Sequence, residues 1–153
     1  MRTIRLAAVL LFASLTPIPA LGQDSASYQR SSTGTRWLEN DAGVSIKVLV
    51  EGAVLGETAV ELAEATFPAG MGAGPSTHRH GSTEIIYVVS GDLDHVVNGE
   101  THRLTPGMIG IVKPSDAVIH RVVGQSPVKV LLIWAPGGEV ERLARVFRQR
   151  PIR

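Results

Sequence analysis

The sequence predicts an all-β fold, and three observations carry that expectation. Eight short stretches rich in β-branched, aromatic and other apolar residues follow one another between residues 44 and 135. Several alternate apolar and polar side chains, the period of a strand with one buried face. Gly, Pro, Asn and Asp punctuate the gaps. Short strands at regular spacing point to a sandwich or a barrel.

The elements follow in order. VSIKVLV (44–50) alternates around Lys47. TAVELAEATF (58–67) alternates apolar and acidic residues; its Glu, Leu and Ala would also suit a helix, and Pro68 and Gly70 end either element. EIIYVV (84–89) is a β-branched and aromatic run. LDHVV (93–97) and THRL (101–104) flank Asn98-Gly99, a pair suited to a two-residue hairpin turn. That turn pairs Val97 with Glu100 and His95 with His102. MIGIV (108–112), AVIHRVV (117–123) and VKVLLIWA (128–135) complete the series. Beyond them Val140, Leu143, Ala144 and Phe147 fall at i, i+3, i+4 and i+7, one apolar helical face. Glu139 and Glu141 at its start and Arg145 and Arg148 near its end suit the helix dipole. This reads as a closing helix packed on the sheet, with a dimer contact as the alternative. The arginines at 142, 145, 148, 150 and 153 read as a solvated end, or otherwise as an anion or partner site.

Composition sets the bounds. At 153 residues, 44% hydrophobic and 19% charged, the chain suffices for one folded domain. A net charge of +1 makes no case for nucleic acid as a partner. The absence of cysteine excludes disulfides, thiolate metal sites and thiol nucleophiles. GMGAG (70–74) has no Lys-Ser or Lys-Thr helix after it, so it makes no phosphate loop. The first 22 residues read as a signal peptide. Arg2 and Arg5 precede an apolar stretch from Leu6 to Leu15, followed by a small-x-small site at Ala20 and Gly22. The apolar stretch is about half of the roughly 20 residues a membrane helix needs. A short anchor or buried helix is the alternative reading. Cleavage after Gly22, or after Ala20, would remove two arginines and no acid, taking +1 to about −1. The expected destination is a periplasm or the cell exterior, with no membrane contact after cleavage.

The chemistry concentrates in GPSTHRHGSTEIIYVVSG (74–91). In extended chain His78 and His80 project to one face, Gly81 to Thr83 allow a turn, and Glu84 can swing back beside both imidazoles. Two histidines and a carboxylate make a facial ligand set with positions left open. His120 lies inside an apolar strand, where an unpaired imidazole is costly, and is the natural fourth ligand. The donor set suits Fe(II), Mn(II), Ni(II), Cu(II) or Zn(II). Thr77, Ser82, Tyr87 and Asp116 are candidates to orient the imidazoles. His95 and His102 would be cross-strand neighbours. They read as an exposed pair on a hairpin, apart from the metal ligands, or alternatively as a second, weak metal or proton site.

These residues resemble the cupin family. Its first motif, G-x5-H-x-H-x3/4-E-x6-G, is matched by Gly72, His78, His80, Glu84 and Gly91. Its second, roughly G-x5-P-x-G-x2-H-x3-N, is matched in kind by Gly107, Pro114 and His120. The Pro-to-His spacing is one residue longer, and Asp116 and Gly124 stand where Gly and Asn are usual. The resemblance implies a double-stranded β-helix, a jelly-roll barrel with a divalent transition metal held by His78, His80, Glu84 and His120. The corresponding organisation is a signal peptide (1–22), an N-terminal arm (23–40), the barrel (41–136), and a C-terminal helix and tail (137–153). It further implies a small-molecule substrate, a homodimer, and an oxygen-dependent dioxygenase of the quercetinase kind with Glu84 as general base. A metal-dependent isomerase, lyase or decarboxylase is the second expectation. A barrel that binds a small ligand without turnover, with or without a metal, is the third. Ile86, Val88, Ile111, Ile133 and Trp134 would wall the site if they point inward.

Overall fold

Alternation is what builds the barrel. In the computed structural model, which describes residues 33–55, 59–72 and 77–152, the elements run β1 (Arg36–Glu39), β2 (Ser45–Val50), α1 (Gly52–Leu55), β3 (Glu61–Phe67), β4 (Thr83–Ser90), β5 (Asp92–Val97) and β6 (Glu100–Leu104). They continue as β7 (Ile109–Val112), β8 (Val118–Val123), β9 (Val128–Ala135), α2 (Glu139–Ala144) and β10 (Arg148–Pro151). The expected signal peptide and most of the arm lie outside the described residues.

Among the described residues the strands form two sheets, both antiparallel. One has the order β10-β1-β2-β3-β9-β4-β7, the other β6-β5-β8. His78 extends the smaller sheet through an isolated antiparallel bridge to Val118. Every second residue of β3 (Glu61, Ala63, Ala65, Phe67), of β9 (Val128, Val130, Leu132, Trp134) and of β8 (Val118, His120, Val122) is buried. One core joins Leu93, Leu104 and Val122 of the smaller sheet to Leu38, Ile46, Val48, Ile86 and Val130 of the larger. Burial of such side chains stabilises by about 1.5–3 kcal/mol each.

Within the expected 58–67 element, Glu61–Phe67 form a strand despite the segment's helix formers. β3 pairs along its length with β9 and with β2, and those ladder bonds, with Ala63 and Ala65 fully buried, outweigh local propensity. At the Asn98-Gly99 turn both φ angles are positive (51° and 88°), as a type I′ hairpin requires. The register follows: Val97 opposes Glu100 and His95 opposes His102.

The sheet reaches beyond the expected 41–136 boundaries on both sides. Residues 36–39, assigned above to the arm, form β1, because Trp37 packs between its cross-strand neighbours Lys47 and Arg150, 5.8 and 5.4 Å from its ring. The C-terminal helix spans only 139–144. Its face is the expected one, with Val140 fully buried and Leu143, Ala144 and Phe147 packed on the core. Residues 148–151 then turn into β10 rather than continuing the helix. Arg150 reaches Glu39 at 3.0 Å and Arg148 reaches Asp41 at 3.5 Å, so two of the tail arginines have acidic partners across β1. The short helix α1 has no signal in the sequence reading.

Candidate metal centre

The core-facing positions of three strands carry polar residues where the alternation asks for apolar ones. On β4 Glu84 shares its face with Ile86 and Val88. On β8 His120 shares its face with Val118 and Val122. On β5 His95 shares its face with Leu93. All three are buried, Glu84 at 1% exposure and His95 at 2%.

Glu84 is the hub. Trp134, its cross-strand partner on β9, donates Nε1–H to Glu84 Oε2 at 2.9 Å. His80 Nε2 stands 3.3 Å from the same oxygen, and His120 Nε2 stands 3.4 Å from Oε1. His78 is pinned by reciprocal backbone bonds with Val118, at 3.0 and 2.9 Å. Its ring meets those of His80 and His120 edge-on, with centroids 4.8 and 5.0 Å apart. The four sequence-predicted residues therefore converge from a loop, β4 and β8. Phe67 backs the cluster, stacked on His120 at 5.1 Å.

Gly72, the first glycine of the motif, explains how the loop approaches. Its φ is +82°, and a Cβ there would lie 2.5 Å from the carbonyl oxygen of His120. Only glycine lets this turn lie against the β8 backbone. The departure at Asp116 belongs to a turn of its own. Asp116 accepts Lys113 N–H at 3.0 Å and Asn98 Nδ2–H at 2.8 Å, and Ser115 donates its N–H to the His80 carbonyl at 3.0 Å.

His95 corrects the sequence reading. It pairs with His102 as expected, but only His102 is exposed. His95 faces inward, directly opposite His120 in the register of β5 and β8, with ring centroids 5.2 Å apart. Ligand atoms of Glu84, His95 and His120 lie within 4.8 Å of one another. The missed signal was parity: His95 is two residues from Leu93, so a buried Leu93 commits His95 to the same face. Gly110 of the edge strand β7 makes room, since a Cβ there would fall 2.4 Å from His95 Nδ1. On that side an open space of about 490 Å³ is lined by His95, His102, Arg103, Met108 and Gly110, among others.

Three of the four expected orienting residues stand elsewhere, while Ser82 is buried. Tyr87 lies on the outer face of β4, Thr77 is exposed, and Asp116 serves its own turn. His80 Nδ1 instead meets Glu139 Oε2 at 3.3 Å, a residue read above only as a helix-dipole partner. The wall is corrected as well. Ile86, Val88 and Trp134 point inward, but Ile111 is 59% exposed and Ile133 sits on the outer, half-buried register of β9. Val112 and Leu132, one position away, take the inward places.

Electrostatics favour a charged Glu84 carboxylate and push the neighbouring His95 toward its neutral form. Burial pushes the Glu84 carboxyl up, but His120, His80 and the Trp134 hydrogen bond outweigh it and hold the pKa at about 2. Burial, reinforced by the neighbouring His120, pushes His95 down to about 4. Glu139, opposed by burial, is held at about 2 by hydrogen bonds from His80, Arg142 and the Gly81 N–H. Among the described residues, five buried side-chain atoms have no hydrogen-bond partner. Four of them are here: His80 Nε2, Glu84 Oε1, His95 Nε2 and His120 Nε2. An unsatisfied buried polar atom costs about 1–3 kcal/mol. Four in the cluster around Glu84 fit a bound ion, and three of the residues, Glu84, His95 and His120, bring ligand atoms within 4.8 Å of one another. Ligand atoms on a transition metal at about 2.1 Å sit roughly 3.0–3.4 Å apart when adjacent. The Glu84 contacts with His80 and His120 have that spacing.

Two facing antiparallel sheets with histidines and one glutamate gathered between them define a jelly-roll protein with a possible metal site. The cupin domain family matches residues 63–134, so the chain carries a cupin domain. Solved structures share the fold. KdgF from Halomonas sp. is 20% identical, with 69% of this chain and 89% of that one covered and a TM-score of 0.57. A predicted oxalate decarboxylase from Thermotoga maritima is 21% identical, with 70% and 96% covered and a TM-score of 0.57. Ectoine synthase from P. lautus is 18% identical, with 74% and 79% covered and a TM-score of 0.56. None of the curated proteins matches the sequence significantly.

Proposed function

We propose that this cupin is a metal-dependent enzyme acting on a small organic molecule, with dioxygen as co-substrate. The observation that carries the metal is the set of four unpartnered buried atoms on His80, Glu84, His95 and His120. His78, His80, Glu84 and His120 are the proposed ligands, joined by His95. The ion is one divalent transition metal, and its contribution is that of a Lewis acid that acidifies an enol or hydroxyl of the substrate. Glu84 is the proposed general base. Trp134 anchors Oε2, so Oε1 is the oxygen that would face the ion and, once released from it, take the proton. Phe67, Ile86, Val88 and Leu132 exclude water around it. The space beside His95 is of a size for a small substrate. The oxygen-dependent step rests on the cupin resemblance.

Elemental analysis of the mature protein, purified without a histidine tag, tests the centre. About one equivalent of a transition metal is expected, and none after reconstitution would move the reading to a ligand-binding barrel. Oxygen uptake on turnover then separates a dioxygenase from the second reading. That reading, a non-oxidative lyase, isomerase or decarboxylase, draws on the structural neighbours described as ectoine synthase and oxalate decarboxylase.

The signal-peptide pattern of residues 1–22 is the ground for proposing a periplasmic or secreted location. A homodimer is proposed on the exposed apolar row of Tyr87, Val89, Ile109 and Ile111 along β4 and the edge strand β7.

A further inference from the structure

Glu139 is a buried carboxylate that the metal reading leaves without a task. It opens α2 at 2% exposure. Gly81 donates its N–H to Oε1 at 2.6 Å, and Arg142 donates Nε–H to Oε2 at 2.6 Å. His80 Nδ1 lies 3.3 Å from the same Oε2.

A neutral imidazole carries its proton on one nitrogen only. With the proton on Nε2, His80 would bury an N–H that meets no acceptor, since its 3.3 Å approach to Glu84 lacks hydrogen-bond alignment. Its Nδ1 lone pair would also face the Glu139 carboxylate. With the proton on Nδ1, that N–H has Glu139 as acceptor, and the Nε2 lone pair points at the candidate metal centre. Arg142 offers the rival arrangement, with Nη2 3.4 Å from His80 Nδ1. That guanidinium already donates to Glu139, and 44% of its side chain is open to water. It needs no second acceptor, whereas a lone pair held against a buried carboxylate has no relief.

We propose that Glu139 is a positioning residue of the metal centre: it accepts the His80 Nδ1 proton and so keeps the Nε2 lone pair aimed at the ion. The inference rests on the metal reading above. The same carboxylate holds the Gly81 N–H, so the first residue of α2 fixes both the His80 ring and the turn that leads to Glu84. The C-terminal helix thereby becomes part of the site.

The test uses metal-free full-length protein with 15N-labelled histidine. Long-range 15N–1H NMR reads the tautomer of each imidazole without any metal. The expected result is an Nδ1–H tautomer at His80 in the native protein. A shift toward Nε2–H is expected in Glu139→Gln, whose amide offers a single acceptor oxygen where the carboxylate offers two. Zinc affinity, read by competition with a chelator, should fall about 10- to 100-fold in Glu139→Gln. Arg142→Gln should keep the native tautomer. An Nε2–H tautomer in the native protein, or a tautomer and zinc affinity unchanged in Glu139→Gln, would overturn the proposal. If Glu139→Gln does not fold, the native and Arg142→Gln spectra decide, because the rival arrangement requires Nε2–H in the native protein and its loss in Arg142→Gln. Failure of the native protein to bind zinc or any other transition metal overturns the metal reading itself, and the tautomer reports separately on the Glu139 contact.

Discussion

His95 and His120 stand directly opposite each other on β5 and β8, with their rings 5.2 Å apart inside the barrel. That pairing brings a hairpin histidine into the cluster around Glu84. His95→Ala is therefore expected to lower metal affinity about 10-fold or more, where an exposed histidine would leave it unchanged. Metal content by elemental analysis and chelator competition check this. His102→Ala, altering the exposed member of the pair, serves as the control.

The ligands on either side of Glu84 should behave unlike Glu84 itself. His80→Ala and His120→Ala are expected to lose most bound metal. Glu84→Gln should keep much of the metal and lose turnover, because the amide retains a ligand oxygen but cannot take a proton. Metal stoichiometry measured beside the turnover rate separates the two effects, and full activity in Glu84→Gln would remove its role as base.

Trp134→Phe removes the only donor that holds Glu84 Oε2 by a hydrogen bond in the described residues. A hydrogen bond to a charged group contributes about 1.5–3 kcal/mol, so a destabilisation of that size is expected. Thermal or urea unfolding of the metal-free protein measures it.

Gly110→Ala would place a Cβ 2.4 Å from His95 Nδ1. Overpacking of this kind costs about 1–3 kcal/mol, and the ring can yield only by leaving its place beside His120. Lower stability together with lower metal affinity is expected. Lower stability with metal affinity intact would separate His95 from the ion.

Acid should weaken the metal-free protein in two stages. His95 titrates near 4 when folded, against 6.5 ordinarily, so between those values the unfolded chain binds the extra proton. Stability then falls as the pH drops from about 6.5 toward 4. Glu84 and Glu139, both near 2 against 4.5, act in the same direction below about pH 4.5. Urea unfolding across this range should show a continuous loss toward acid, and His95→Ala should flatten the upper part.

Most of the strands were legible in the sequence, because a two-residue period, turn residues and the Asn98-Gly99 pair are local signals. That His78, His80, Glu84 and His120 would lie together was legible for the same reason, as spacings within two short stretches. β1 and β10 were not, since among the described residues β10 pairs only with β1, and β1 only with β10 and β2, and nothing local in RWLE or RQRP separates a strand from an exposed arm. Ile111 was misplaced by one position because an apolar edge strand carries similar residues on both faces. The sequence by itself determined the strand periodicity, the hairpin register and the motif residues. Parity ties His95 to the face of Leu93, but tertiary structure decided that this face is the inner one and that Glu139, 59 residues from His80, touches its ring. Burial and long-range pairing depend on which faces meet when the sheets close, and no local pattern encodes that.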